Sequence, residues 1–166
     1  MQPFDRLRAG MQDTGCKLLA SCIMHPGSCI LDLECKKGAQ KMAKAQSYRD
    51  LEIYQISHRL AVEIHKVSLQ LPRFELYEEG SQIRKSSKGV PSTIVEGFGR
   101  RRYKNDFIRF LVYSHSSCDE TIEHLQLLFD TESIDNKTFE HYNDEYTNLS
   151  KKIYRFIESV ERENLV

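Results

Sequence analysis

The side chains best suited to chemistry in this chain are cations, and they come in one stretch. Between Arg84 and Lys104 lie seven basic residues, Arg84, Lys85, Lys88, Arg100, Arg101, Arg102 and Lys104, against the single acid Glu96, a local charge of +6. Repeated phosphates suit such a cluster, because their oxygens accept hydrogen bonds from Arg, Lys and the free N–H groups of a helix start. Tyr103 and Phe98 fall in the same stretch and offer flat faces on which unpaired bases stack. A structural account competes: cations at a helix C-terminus complement its dipole by ~0.3–1 kcal/mol each. It covers one or two of the seven. Arg100 to Lys104 also crowd the start of the following helix, where the dipole disfavours cations.

Other chemistries find little support. A di-iron site in a helix bundle uses Glu-x-x-His pairs, but the residues three before the six His are Cys22, Gln55, Val62, Val112, Thr121 and Thr138. His58 and His65 share a helix face without a third ligand, a pattern of packing or surface residues. His115 and Cys118, three apart, have the spacing of a base and a nucleophile, yet Cys118 falls in an apolar stripe, where Cys behaves as a small hydrophobe. Gly97-Phe98-Gly99 is too short to cradle a nucleotide and suits a helix C-terminus. The sequence thus predicts no catalytic residue, no metal, no cofactor and no small-molecule substrate.

Four of the five Cys (Cys16, Cys22, Cys29 and Cys35) precede residue 36, in a region with no lasting apolar period. Their spacing lacks the C-x2-C knuckle of zinc sites, and a disulfide framework needs an oxidising compartment. Leu19-Ala20-Ser21-Cys22 has the form of a bacterial lipobox, but the apolar run before it is far shorter than the ~7–15 residues of a secretory leader. Met42 opens a segment running directly into the first periodic stretch. Residues 1–47 are therefore expected to be an extension outside the fold, poorly ordered or a product of start-site choice, and the protein is expected in the cytoplasm.

Residues 48–166 carry the elements that must position the cations. Apolar residues recur in steps of three or four at Ile53, Ile56, Leu60, Ile64, Val67 and Leu71, a helix of about 21 residues stopped by Pro72. A second helix uses Ile83, Ser87, Val90, Ile94 and Phe98, with Pro91 inside it, which predicts a bend near Ser87 and not two helices. The third opens at Asn105 or Asp106 and carries Phe107, Leu111, Ser114, Cys118, Ile122, Leu125 and Phe129. The fourth, capped by Thr138, carries Phe139, Tyr142, Tyr146, Leu149, Ile153, Ile157 and Val160. The expected fold is all-α, an antiparallel up-and-down four-helix bundle with a Pro-kinked second helix.

The whole chain of 166 residues balances 24 Lys+Arg against 24 Asp+Glu. That neutrality is a cancellation, since nine acids between Asp119 and Glu145 face only Lys137, a local charge of −8. It does not argue against a phosphate partner.

Tyr48-Arg49-Asp50-Leu51-Glu52-Ile53-Tyr54-Gln55, Ser81-Gln82-Ile83-Arg84-Lys85, Val90-Pro91-Ser92-Thr93-Ile94-Val95-Glu96-Gly97-Phe98-Gly99-Arg100 and Phe107-Ile108-Arg109-Phe110-Leu111 resemble, in order and spacing, the bacterial 23S rRNA intervening-sequence proteins, or S23 family. The resemblance covers roughly residues 48–160. It implies a four-helix bundle assembling as a homopentamer, encoded in some members within insertions of the large-subunit ribosomal RNA gene. A related branch, the accessory variability proteins of diversity-generating retroelements, is a basic pentamer that binds reverse transcriptase and nucleic acid. The family brings no catalytic residues. This chain departs from it at Thr93, where Asn is usual, and at Val95, where Ala is usual; Gly89 is expected to weaken the second helix by ~1 kcal/mol relative to Ala.

The sequence thus predicts a non-enzymatic homo-oligomer that binds RNA or a ribonucleoprotein through Arg84, Lys85, Lys88, Arg100, Arg101, Arg102, Tyr103 and Lys104. The rival is an interaction adaptor or scaffold whose basic and acidic poles pair between subunits or with a partner such as a reverse transcriptase.

Overall fold

A computed structural model describes residues 45–162. Of the expected extension 1–47, residues 1–44 with the four cysteines lie outside the described residues, and residues 45–47 lie within them. The chain enters through a 3-10 turn, Tyr48–Asp50, closed by a capping box in which Ser47 Oγ accepts from the Arg49 N–H and Asp50 accepts from the Ser47 N–H at 2.9 Å. Five helices follow: α1 (Glu52–Ser68), α2 (Arg73–Tyr77), α3 (Glu79–Gly99), α4 (Lys104–Asp130) and α5 (Asn136–Arg162). Among the described residues there is no strand, and no helix is long and apolar enough to cross a membrane.

The four long helices correspond to the four apolar stripes. In α1 the buried positions are Ile53, Ser57, Leu60, Ala61, Ile64 and Ser68, so the face repeats every three or four residues. The helix is shorter than the expected 21 residues: it ends at Ser68, the chain turns as the Gln70 N–H donates to Val67 O, and Leu71 is buried from the connection. Pro72 then starts α2, a five-residue helix absent from the sequence reading because one turn is too short to show a period.

α3 runs unbroken through Pro91, as one helix. Two side-chain hydroxyls bond to the carbonyls just before the proline: Thr93 Oγ1 donates to Gly89 O at 2.9 Å, and Ser114 Oγ of α4 donates to Val90 O at 3.1 Å. The Thr93 hydroxyl is satisfied by that intrahelical bond. Gly89 is also explained by space, since a Cβ there would lie 3.2 Å from Ser117 Oγ.

The core gathers Leu60, Ile64, Ile83, Val90, Ile94, Phe107, Leu111, Cys118, Leu125, Tyr146, Leu149 and Ile153. Helix α3 packs on α4, α4 on α5, and α1 on both α3 and α5. As α3 advances from Glu79 to Gly97 its α4 neighbours recede from His124 through Thr121, Ser117 and Ser114 to Phe107 and Phe110. Within α4 the buried positions shift from the expected Ile122 and Phe129, which are half-buried, to Thr121 and Leu128. Thr121 tolerates burial because its hydroxyl lies 2.8 Å from Ser117 O and 2.9 Å from Ser86 Oγ.

Candidate functional site

The cations that are consecutive in sequence are not together in space. Arg84 lies in the first half of α3, and its guanidinium turns inward: Nη1 donates to Ser68 Oγ at 3.2 Å and Nη2 to Leu76 O at 2.9 Å. It ties α3 to the end of α1 and to α2. About 24 Å of helix axis separates it from Arg100, at ~1.5 Å per residue. Lys85 is exposed one residue on, and Lys88 lines an open, largely apolar cleft of about 400 Å³ between α1 and α3 together with Tyr54, His58, Val62, Pro91 and Val95. Arg84, Lys85 and Lys88 thus stand apart from the later cations.

Arg100, Arg101, Arg102, Tyr103 and Lys104 do come together, at the turn from α3 to α4. The turn is held by backbone bonds, Arg100 N–H to Gly97 O and Tyr103 N–H to Arg100 O. Tyr103 precedes α4 in extended conformation and no side chain caps the helix, leaving its first amides without an intrahelical partner. Lys104 Nζ donates to Glu161 O at 2.7 Å, bringing the end of α5 to the same place. Among the described residues no carboxylate pairs with Arg100, Arg101 or Arg102, whereas Arg59 and Lys152 elsewhere are ion-paired.

Two aromatic side chains order these guanidinia. Arg101 lies over the Phe98 ring at 4.1 Å and donates to Phe98 O at 3.0 Å, and Arg100 lies over Phe110 at 4.7 Å. Phe98 itself is only 5 % exposed, packed edge-on against Tyr48. It is a support for Arg101, which corrects the expectation that its own face is open for stacking. Tyr103, 63 % exposed, does present its ring.

The structure adds residues that the charge count did not single out. Arg49, next to Tyr48, is brought towards the Phe98 and Arg101 pair by the 3-10 turn. Arg109, Phe110 and Tyr113 continue along α4: Arg109 Nε donates to the Tyr113 hydroxyl at 2.7 Å, and that contact pushes the Arg109 pKa further up. The signal that could have found the last three is basic and aromatic residues interleaved over the first three turns of α4.

Cys118 and His115 do not form a nucleophile and base. The thiol is buried and faces Tyr146 O at 3.4 Å; burial and the adjacent Asp119 push its pKa up to about 12. His115 instead contacts Ser150 at 3.0 Å and Asp119 at 3.3 Å. His58 stacks on Tyr54 at 5.7 Å, and among the described residues no three His, Cys, Asp or Glu side chains are placed to hold a metal ion.

The family model for 23S rRNA-intervening sequence proteins matches residues 49–155. The chain belongs to that family. A solved structure from Bacteroides thetaiotaomicron, described as a protein of unknown function from the S23 ribosomal protein family, shares 25 % identity with it. The similarity covers 64 % of this chain and 98 % of that one, with a TM-score of 0.58. No curated protein matches the chain. The family resemblance drawn from the sequence is therefore correct, and its members' function is unknown.

Proposed function

We propose that this 23S rRNA-intervening sequence protein is a non-enzymatic, cytoplasmic RNA-binding bundle. Its four long helices form an antiparallel up-and-down arrangement, the second of them bent near Ser87 by Pro91, and assemble as a homopentamer, with RNA held at the turn from α3 to α4. The receding α4 partners of successive α3 residues support the antiparallel direction. The observation that carries the RNA reading is the set of exposed Arg100, Arg101 and Arg102, with no carboxylate partner among the described residues, beside the uncapped start of α4. The C-terminal dipole of α3 favours one or two of these cations and the start of α4 disfavours the rest, so the fold alone does not account for three, whereas a row of phosphates suits them. Lys104 and Tyr103 complete the contact surface. Arg84, fastened inside, acts through stability, and Lys85 and Lys88 lie outside the phosphate contact. In a ring of subunits the same corner repeats and forms a basic rim.

The test is the salt dependence of binding to a structured RNA. Log K is expected to fall by ~0.7–0.9 per neutralised phosphate per decade of salt; a flat response overturns the reading. The adaptor reading draws on the acidic residues around the α4–α5 turn, which mirror the basic corner. It predicts that high salt dissociates the oligomer and that RNA has no effect on sedimentation.

A further inference from the structure

Resting on the RNA-binding reading above, we infer that Arg100, Phe110, Tyr113 and Arg109 form a stacking face for unpaired bases, so that the ligand is single-stranded RNA and not a duplex. Phosphate attraction alone requires only solvated cations. Here the cations are mounted on rings. Arg100 lies 4.7 Å over Phe110, the Phe110 and Tyr113 rings meet edge-to-face at 5.9 Å, and Arg109 is fixed to the Tyr113 hydroxyl.

A guanidinium supported on one side by a ring turns its other face outward, planar and weakly hydrated, the surface on which a base stacks. Tyr113 is itself 43 % exposed. The charge around this face favours a polyanion, with Arg100, Arg101, Arg102, Lys104 and Arg109 against Glu96, Asp106 and, from the end of α5, Glu161. A duplex hides its base faces and shows edges, sugars and phosphates, so it would leave the rings unused. A single strand uses rings and cations together.

The full chain is titrated with three labelled probes: an oligoadenylate of about 12 nucleotides, an abasic ribose-phosphate strand of the same length, and an RNA duplex of about 12 base pairs. The oligoadenylate is expected to bind about tenfold more tightly than the abasic strand, and more tightly than the duplex despite its fewer phosphates. Tyr113→Ala is expected to weaken oligoadenylate about tenfold and leave the abasic strand unchanged, while Tyr113→Phe, which keeps the ring and loses only the hydroxyl that holds Arg109, is expected to lose about threefold. Val112→Ala, at an exposed neighbouring position, reports any general effect on the helix.

Salt-sensitive binding that treats all three probes alike overturns the stacking face and leaves the RNA reading standing. Loss of the abasic strand together with oligoadenylate in Tyr113→Ala also overturns it, since the residue then acts on the surface as a whole. Absence of binding to every probe overturns the RNA reading, and the stacking face with it.

Discussion

Where α3 passes into α4, Arg100, Arg101 and Arg102 meet solvent with no carboxylate partner among the described residues; where α4 passes into α5, charged side chains of the other sign are tied into the fold. Asp135 Oδ1 accepts from the Thr138 N–H at 2.7 Å and so starts α5. Asp130 accepts from Gln126 and Glu140 from Asn136, both at 2.8 Å and one turn apart. Further along the run, Asp119 of α4 accepts from Ser150 Oγ of α5 at 2.9 Å, and Glu145 pairs with Arg59 of α1. The acidic run is largely accounted for by caps, intrahelical bonds and ties between helices. Arg100, Arg101 and Arg102 have no carboxylate partner among the described residues, and the RNA-binding proposal rests on that asymmetry.

The contrast breaks most visibly when the basic corner is reversed. Replacing Arg100, Arg101 and Arg102 together by Glu is expected to lower RNA affinity by more than about 100-fold at fixed salt, measured by fluorescence anisotropy. Thermal stability should move little, because none of the three is part of the core. Unchanged affinity would mean that these cations serve no phosphate.

Arg84 sharpens the comparison from the other side. Arg84→Ala leaves Ser68 Oγ and Leu76 O without their guanidinium partner, and the expected cost of about 1–2 kcal/mol lowers Tm by about 5 °C while RNA affinity stays within about twofold. A stable variant with weakened RNA binding would instead return Arg84 to the ligand surface.

The smallest effect is expected at the acidic turn. The Thr138 hydrogen bonds, first through its side chain and then through its N–H, hold the Asp135 carboxyl below its ordinary pKa of 3.8. A depressed acid stabilises the fold above that value and loses the effect as pH falls through its lowered one. Asp135→Ala should therefore lower Tm by about 3 °C at neutral pH, and by less as the pH drops below 3.8. Parallel melting curves that stay offset down to the lowest pH would show that the charge is irrelevant to the cap.

The helical stripes were legible because hydrophobic burial repeats with the helix, as Leu60, Ile64, Val90, Ile94, Leu149 and Ile153 all demonstrate. Thr121 was not, because its burial depends on hydroxyl partners one turn back and on α3, which hydropathy does not encode. The helix starts were misread for a similar reason: Asp135 caps α5 in place of Thr138, and α4 begins at Lys104 with no side-chain cap at all. The basic corner was legible as charge and not as place. A run in sequence wraps around a helix and spans its length, so Arg84 turned inward while Arg109, outside the run, joined the surface. The ring under Arg100 became visible only once α3 and α4 were side by side, because Phe110 belongs to the facing helix.

A residue without a side chain governs the distance between those helices where the surface begins. A Cβ on Gly97 would stand 2.9 Å from the Phe110 Cβ and 3.2 Å from the Phe107 ring, so any larger residue there must push α4 away. Such a shift lifts Phe110 from beneath Arg100 without altering a single charge. The corner is thus vulnerable to a neutral exchange at a position no ligand touches, and the spacing of its chemistry is inherited from an absence of atoms.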